Sequence, residues 1–156
     1  MAALDDLAKA VGASSQTLAR RARSKTALPS GDLTATSISQ TICALMPENS
    51  LLLDEGGTNG LQICGETEGA RAHDFLKAVN GGAIGRLPLA LGASVACPDR
   101  TTVLLQGDGC SMYTEQALWS MAREKANVTI ILLKNDAYGI LEIELARVRE
   151  TTLTPR

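Results

Sequence analysis

Two short stretches govern what this chain can fold into: residues 101–106, Thr-Thr-Val-Leu-Leu-Gln, and residues 128–133, Val-Thr-Ile-Ile-Leu-Leu. Both are near-continuous apolar runs, and neither alternates with polar residues as a strand with one wet face would. Strands of this kind are covered on both sides, which calls for a parallel sheet with helices on both faces. The expected fold is therefore α/β, a Rossmann-like three-layer arrangement.

The rest of the chain supplies the helices. Residues 2–25 read as two short helices: Leu4, Leu7, Ala8 and Val11 have helical spacing, Gly12 stops the first, and Ser14 or Ser15 caps the second. A turn-rich linker ends at Asp32, so a boundary is expected there, with residues 33–156 the main domain. Thr34 is placed to cap a helix with Ile38, Ile42 and Leu45 on one face, ending before Pro47. Residues 50–54 form a short apolar strand that opens into Glu55-Gly-Gly-Thr-Asn59. Gly81-Gly-Ala-Ile-Gly85 introduces a helix running through Ala96, Thr114 caps another at 115–126, and a last helix spans 139–148. His73 is expected at the surface, before a short strand.

Composition removes several function classes. Of 156 residues, 15 are Lys or Arg and 17 Asp or Glu, a net charge of -2 that gives no electrostatic reason for a nucleic-acid or membrane partner. The basic cluster Arg20-Arg21-Ala22-Arg23-Ser24-Lys25 reads as a solvated helix end. Cys43, Cys64, Cys97 and Cys110 form no close pair, and with His73 the single histidine a zinc site is not expected. The N-terminus carries acids rather than an apolar signal core, and no apolar run is long enough to span a bilayer. The expectation is a cytoplasmic protein.

In a doubly wound sheet, ligands bind beyond the carboxyl ends of the strands. Three segments end strands with polar or glycine-rich residues: 55–59, Gly107-Asp108-Gly109-Cys110, and 135–139. Two lead into helices, whose free N–H groups favour an anion. The Asp108 carboxylate and the Asn135 amide oxygen are hard ligands of the kind magnesium takes when it bridges protein to phosphate. A dinucleotide fingerprint fails because Met112 stands at the last glycine position, and no Gly-Lys-Ser/Thr supplies a Walker A loop. A phosphoacceptor role for Asp108 lacks a partner group. Alone, Gly107-Asp108-Gly109 is better read as a tight βα turn.

Taken together, the motifs are more specific. Leu105-Gln-Gly-Asp-Gly109 followed by Lys134-Asn-Asp136 resembles the Gly-Asp-Gly…Asn signature of thiamine-diphosphate enzymes. Gly81–Gly85, Tyr113-Thr-Glu-Gln-Ala-Leu-Trp119 and Leu141-Glu-Ile-Glu-Leu-Ala-Arg147 are similar to the same family, in its branch of acetolactate synthase large subunits and benzoylformate decarboxylase-like proteins. The resemblance makes residues 1–32 the tail of a preceding domain and implies that Asp108, Asn135 and the Ala137 carbonyl hold magnesium. It implies that Gly109, Cys110, Tyr138, Gly139 and Ile140 surround the diphosphate, with Thr58 and Asn59 on its other side. It gives Gly82 the pyrimidine amino group and makes Ile84 the wedge between the two cofactor rings. Cys110 stands where the family usually has serine. At Gly85-Arg86-Leu87-Pro88 one residue is missing against the family pattern, which would rotate the rest of that helix by about 100° unless the turn absorbs it. Trp119 and Met121 are expected to pack, Tyr113 to lie at the lining or surface, and Glu55 to serve structure.

The implied activity is decarboxylation or carboligation of a 2-keto acid, with the reactivity carried by the cofactor. The resemblance also implies a glutamate from a pyrimidine-binding domain, supplied by another chain or segment in a homo- or hetero-oligomer. No segment here resembles that domain, and the family's further strands after Arg147 have no counterpart. The expectation is a C-terminally incomplete cofactor domain that turns nothing over alone. The alternative is a non-catalytic remnant or interaction module that keeps the fold.

Overall fold

In the computed structural model, residues 2–13, 27–60, 62–77 and 84–153 are described. The helix expected at 14–25 and the contact expected of Gly82 lie outside them. The elements run α1 (Ala2–Ala10), α2 (Ala35–Leu45), β1 (Ser50–Glu55), a 3-10 turn (Gly57–Gly60), α3 (Ile63–Thr67), β2 (His73–Leu76), α4 (Arg86–Ala96), β3 (Thr102–Gly107), α5 (Asp108–Ser111), α6 (Gln116–Glu124), β4 (Val128–Leu133) and α7 (Gly139–Leu153).

The four strands form one parallel sheet in the order β2-β1-β3-β4. The apolar runs of β1 and β3 sit as their composition requires, because successive residues enter opposite layers. By contrast, β4 lies at the sheet edge with only Leu133 buried and Leu132 54% exposed, so the cover expected on both its faces is incomplete. Leu52, Val103, Leu105 and Leu133 pack with Ile42, Met46 and Ile63 on the α2–α3 face. Leu51, Leu53 and Leu104 pack with Leu87, Ala90, Ala117 and Met121 on the α4–α6 face. Leu52, Leu53, Leu104 and Leu105 are fully buried, so neither face of the central strands is wet. The expected layered α/β fold is what forms.

Local details differ where packing overrides local signals. Thr34 caps α2 in a reciprocal capping box with Ser37, and the helix ends at the residue before Met46 and Pro47. Its buried stripe, however, is Ser39, Ile42, Cys43 and Met46, whereas Leu45 is 64% exposed. Thr114 makes no side-chain cap: its hydroxyl is buried without a partner, and Glu115 takes the cap position of α6. His73 is the first residue of β2 itself, paired with Ser50. Gly12, at φ +63, ends α1 as its position suggests.

The strand order fixes where a ligand can enter. From β1 the chain moves outward to β2, then returns through α4 to β3 on the other side of β1. The connections leave the ends of β1 and β3 in opposite directions, opening a crevice there, the topological switch point of such sheets.

Candidate functional site

That crevice is an open cleft walled by Gly56, Gly57 and Thr58 after β1, by Gly107–Cys110 at the end of β3, and by Leu133, Asn135 and Ala137–Ile140 at and after the end of β4. Glycine is required at its floor. A Cβ on Gly56 would stand 2.9 Å from the Cα of Gly60, and one on Gly139 would stand 3.3 Å from Thr58 Oγ1 and 3.6 Å from Asn135 Nδ2. The three strand-end segments singled out by sequence therefore converge on one space.

Asp108 organises the polar side. Its Oδ1 accepts from Gly109 N at 2.9 Å, and its Oδ2 accepts from Asn135 N at 3.3 Å and Asp136 N at 3.2 Å. The Gly109 N–H, followed by those of Asp136 and Asn135, holds the carboxyl below its ordinary range against a smaller cost of desolvation. An ionised carboxylate thus faces the cleft, with lone pairs left over for a cation. Asn135 Oδ1 accepts from Ala137 N at 3.2 Å in a local turn, and Asp136 takes the left-handed conformation with its carboxylate on Lys134 Nζ. Gly139 and Ile140 begin α7, so their N–H groups have no acceptor within the helix.

Cys110 is half-buried, and burial first, then the charges of Glu55 and Asp108, push its thiol up. It remains a neutral thiol rather than an anion facing an anionic ligand. The neighbouring Tyr113 hydroxyl, first of all, raises Tyr138. Thr58 lines the cleft and Asn59 lies in the same 3-10 turn, its side chain outside what is described. Ile84 is 38% exposed and is not among the walls of the cleft; it directly precedes Gly85, whose φ of +149 turns the chain into α4.

One polar cluster beside the cleft was not singled out from sequence for the site. Glu55 Oε1 accepts from Gly85 N at 2.9 Å, its Oε2 accepts from Arg86 N at 3.2 Å, and Gln106 Nε2 donates to Oε2 at 2.8 Å. The available signal was a carboxylate and an amide ending two otherwise apolar strands. Arg86 is buried, with its Nε and Nη2 unpartnered. Among the described residues no group of three or more His, Cys, Asp or Glu side chains is set to hold a metal, so any cation site must draw on amide and carbonyl oxygens as well. No helix among them is long and apolar enough to cross a membrane.

Comparison with known proteins gives this geometry a lineage. Residues 64–155 match the family described as thiamine pyrophosphate enzyme, C-terminal TPP binding domain. A Mycobacterium tuberculosis H37Rv protein named "Putative acetolactate synthase large subunit IlvX" is 48% identical over 126 residues, 80% of this chain and 24% of that protein. An alpha-keto-acid decarboxylase of Mycobacterium avium is 40% identical over 111 residues, 69% of this chain and 19% of the relative. A solved thiamine diphosphate-dependent 4-hydroxybenzoylformate decarboxylase from Rhodococcus jostii RHA1 superposes with a TM-score of 0.71 at 27% identity, covering 99% of this chain and 29% of its own. Benzoylformate decarboxylase from Polynucleobacter necessarius shares the fold, with a TM-score of 0.62 at 24% identity over 88% of this chain and 26% of its own. The chain thus spans a quarter or less of the length of these curated relatives.

Proposed function

Because the chain belongs to the thiamine pyrophosphate enzyme family as a C-terminal TPP binding domain, we propose that its cleft holds the diphosphate of thiamine diphosphate through one magnesium ion, as part of an enzyme acting on 2-keto acids. The observation that carries this is the convergence of Asp108, Asn135 and Ala137 on one cleft beneath the start of α7. All three offer oxygen: a carboxylate, a side-chain amide and a backbone carbonyl, the donor set a hard divalent cation takes. Gly139 supplies a cradle that a side chain would fill. The residues present therefore fit the group.

In this reading Asp108, Asn135 and the Ala137 carbonyl hold the cation. The N–H groups of Cys110, Gly139 and Ile140 donate to the phosphate oxygens, with Gly109 and Tyr138 packed around the diphosphate and Thr58 and Asn59 on its other side. Ile84 and Gly82 belong to the ring side. When bound, thiamine diphosphate supplies the electron sink for decarboxylation or carboligation. The chain's own residues bind and orient it, and the N–H groups on Asp108 favour the charged form of the cation's carboxylate. The acid group that activates the pyrimidine is assigned to a pyrimidine-binding domain from another chain or segment, and the 2-keto acid to the space between the two.

The test is calorimetric titration with thiamine diphosphate, with and without magnesium, of the purified chain and its Asp108→Ala variant. Binding is expected only with magnesium, and the variant is expected to lose at least about tenfold in affinity through the missing charge-assisted contact. Equal binding with and without magnesium, or by both proteins, would refute the assignment.

A further inference from the structure

Glu55 ends β1 directly opposite Gln106 of β3 in the parallel register. On one side its carboxylate receives Gly85 N at 2.9 Å and Arg86 N at 3.2 and 3.4 Å; on the other it receives Gln106 Nε2 at 2.8 Å. Gln106 is fully buried and its Oε1 has no partner, so turning the amide over would set oxygen against carboxylate. The contact thus has one workable polarity. Gly85 sits at φ +149, a conformation that persists only where surrounding structure fixes it, and Glu55 is the side chain that binds its N–H.

One side chain therefore touches both parts of the proposed cofactor site: the Ile84–Gly85 turn and the strand end that continues into Gly107-Asp108. We propose that Glu55 is a positioning residue, which fixes the Ile84–Gly85 turn against the end of β3 so that the rings and the diphosphate of one ligand are received in register. This rests on the cofactor reading above. A purely structural cap on α4 would predict something different, because it would affect the whole domain and both parts of the ligand alike.

The test uses two probes, each with magnesium: thiamine diphosphate, which reaches both parts, and inorganic pyrophosphate, which reaches the diphosphate part alone. In Glu55→Gln one carboxylate oxygen becomes an NH2 group facing other donors. Thiamine diphosphate affinity is expected to fall about tenfold, the scale of one hydrogen bond to a charged group, while pyrophosphate affinity stays within about twofold. Combining Glu55→Gln with Gln106→Glu restores donor against acceptor and is expected to recover most of the loss. Thermal melts confirm that each variant is folded. If Glu55→Gln does not fold, Glu55→Asp, which keeps the charge but shortens the reach, is expected to show the same selective loss. Equal losses for both probes, no loss for either, or no recovery in the exchanged pair would overturn the proposal. If the parent chain binds neither probe, the cofactor reading itself falls, and this one with it.

Discussion

At the scale of single residues, the carboxylates beside the cleft are held in opposite senses. Asp54 is pushed up, first by burial, with the Gly56 N–H and the charges of Lys77 and Arg86 recovering only part of that cost. Its folded pKa lies above its unfolded value, so the folded state binds the proton more tightly. The cost is absent below the ordinary carboxylate range, near pH 4, and grows as pH rises through the folded pKa. Asp54→Asn keeps an oxygen for Gly56 N but cannot ionise. Its melting temperature is expected to exceed that of the parent at pH 7 and to converge with it near pH 4, about the unperturbed aspartate value. Parallel curves across that range would show that burial of Asp54 costs nothing.

Arg86 is the sharper anomaly. It is 6% exposed, and its Nε and Nη2 have no partner, although its backbone N–H is taken by Glu55. A buried guanidinium with unmet donors costs more than an apolar side chain of equal length. Arg86→Met is therefore expected to raise stability by about 1–3 kcal/mol, reduced by the help Arg86 gives Asp54. Urea unfolding with an unchanged slope would measure it; a lower midpoint would mean that the guanidinium has a partner in solution.

At the scale of elements, the end of the sheet away from the cleft is held by one side chain. Arg100, in the turn before β3, donates from Nε to Asn49 O at 2.7 Å and from Nη2 to Ser50 O at 3.0 Å, and its Nη1 lies 2.7 Å from Asp74 Oδ2. With its side chain 19% exposed, it joins the α4–β3 turn to the starts of β1 and β2. Arg100→Ala is expected to cost about 2–3 kcal/mol by denaturant unfolding, and Arg100→Lys to recover only part, because an ammonium lacks the fork that reaches three acceptors. A loss below about 0.5 kcal/mol would place this arginine among ordinary surface residues.

Legibility also varied by element. β1 and β3 could be read because their apolar runs reflect burial on both faces, whereas β4, read from the same pattern, is an edge strand in which only Leu133 is buried. β2 could not be bounded: His-Asp-Phe-Leu is an edge strand, and its residues are only half-buried or exposed. Leu45 turned outward because the buried stripe of α2 is set by the position of α3, which periodicity alone does not encode. Thr114 carried a valid cap signal, yet its hydroxyl is buried at the α5–α6 junction with no partner, so local preference gave way to packing.

At the scale of the whole molecule, the sequence by itself determined the class of fold, the family and the oxygen-rich segments of the site. Each of these is written in residue types at short range: near-continuous apolar runs, a Gly-Asp-Gly at a strand end, an Asn one crossover later. Only the tertiary structure decided that the three segments meet in one cleft, because that depends on the strand order β2-β1-β3-β4 and the crevice opened between β1 and β3. It also decided the contacts of Glu55 and the burial of Arg86. Glu55 meets partners 30 and 51 positions away, and Arg86 is stranded in the interior by the packing around it. A side chain's type is local, whereas its hydrogen-bond partners and its dielectric surroundings are assembled from distant parts of the chain, and they exist only once it has folded.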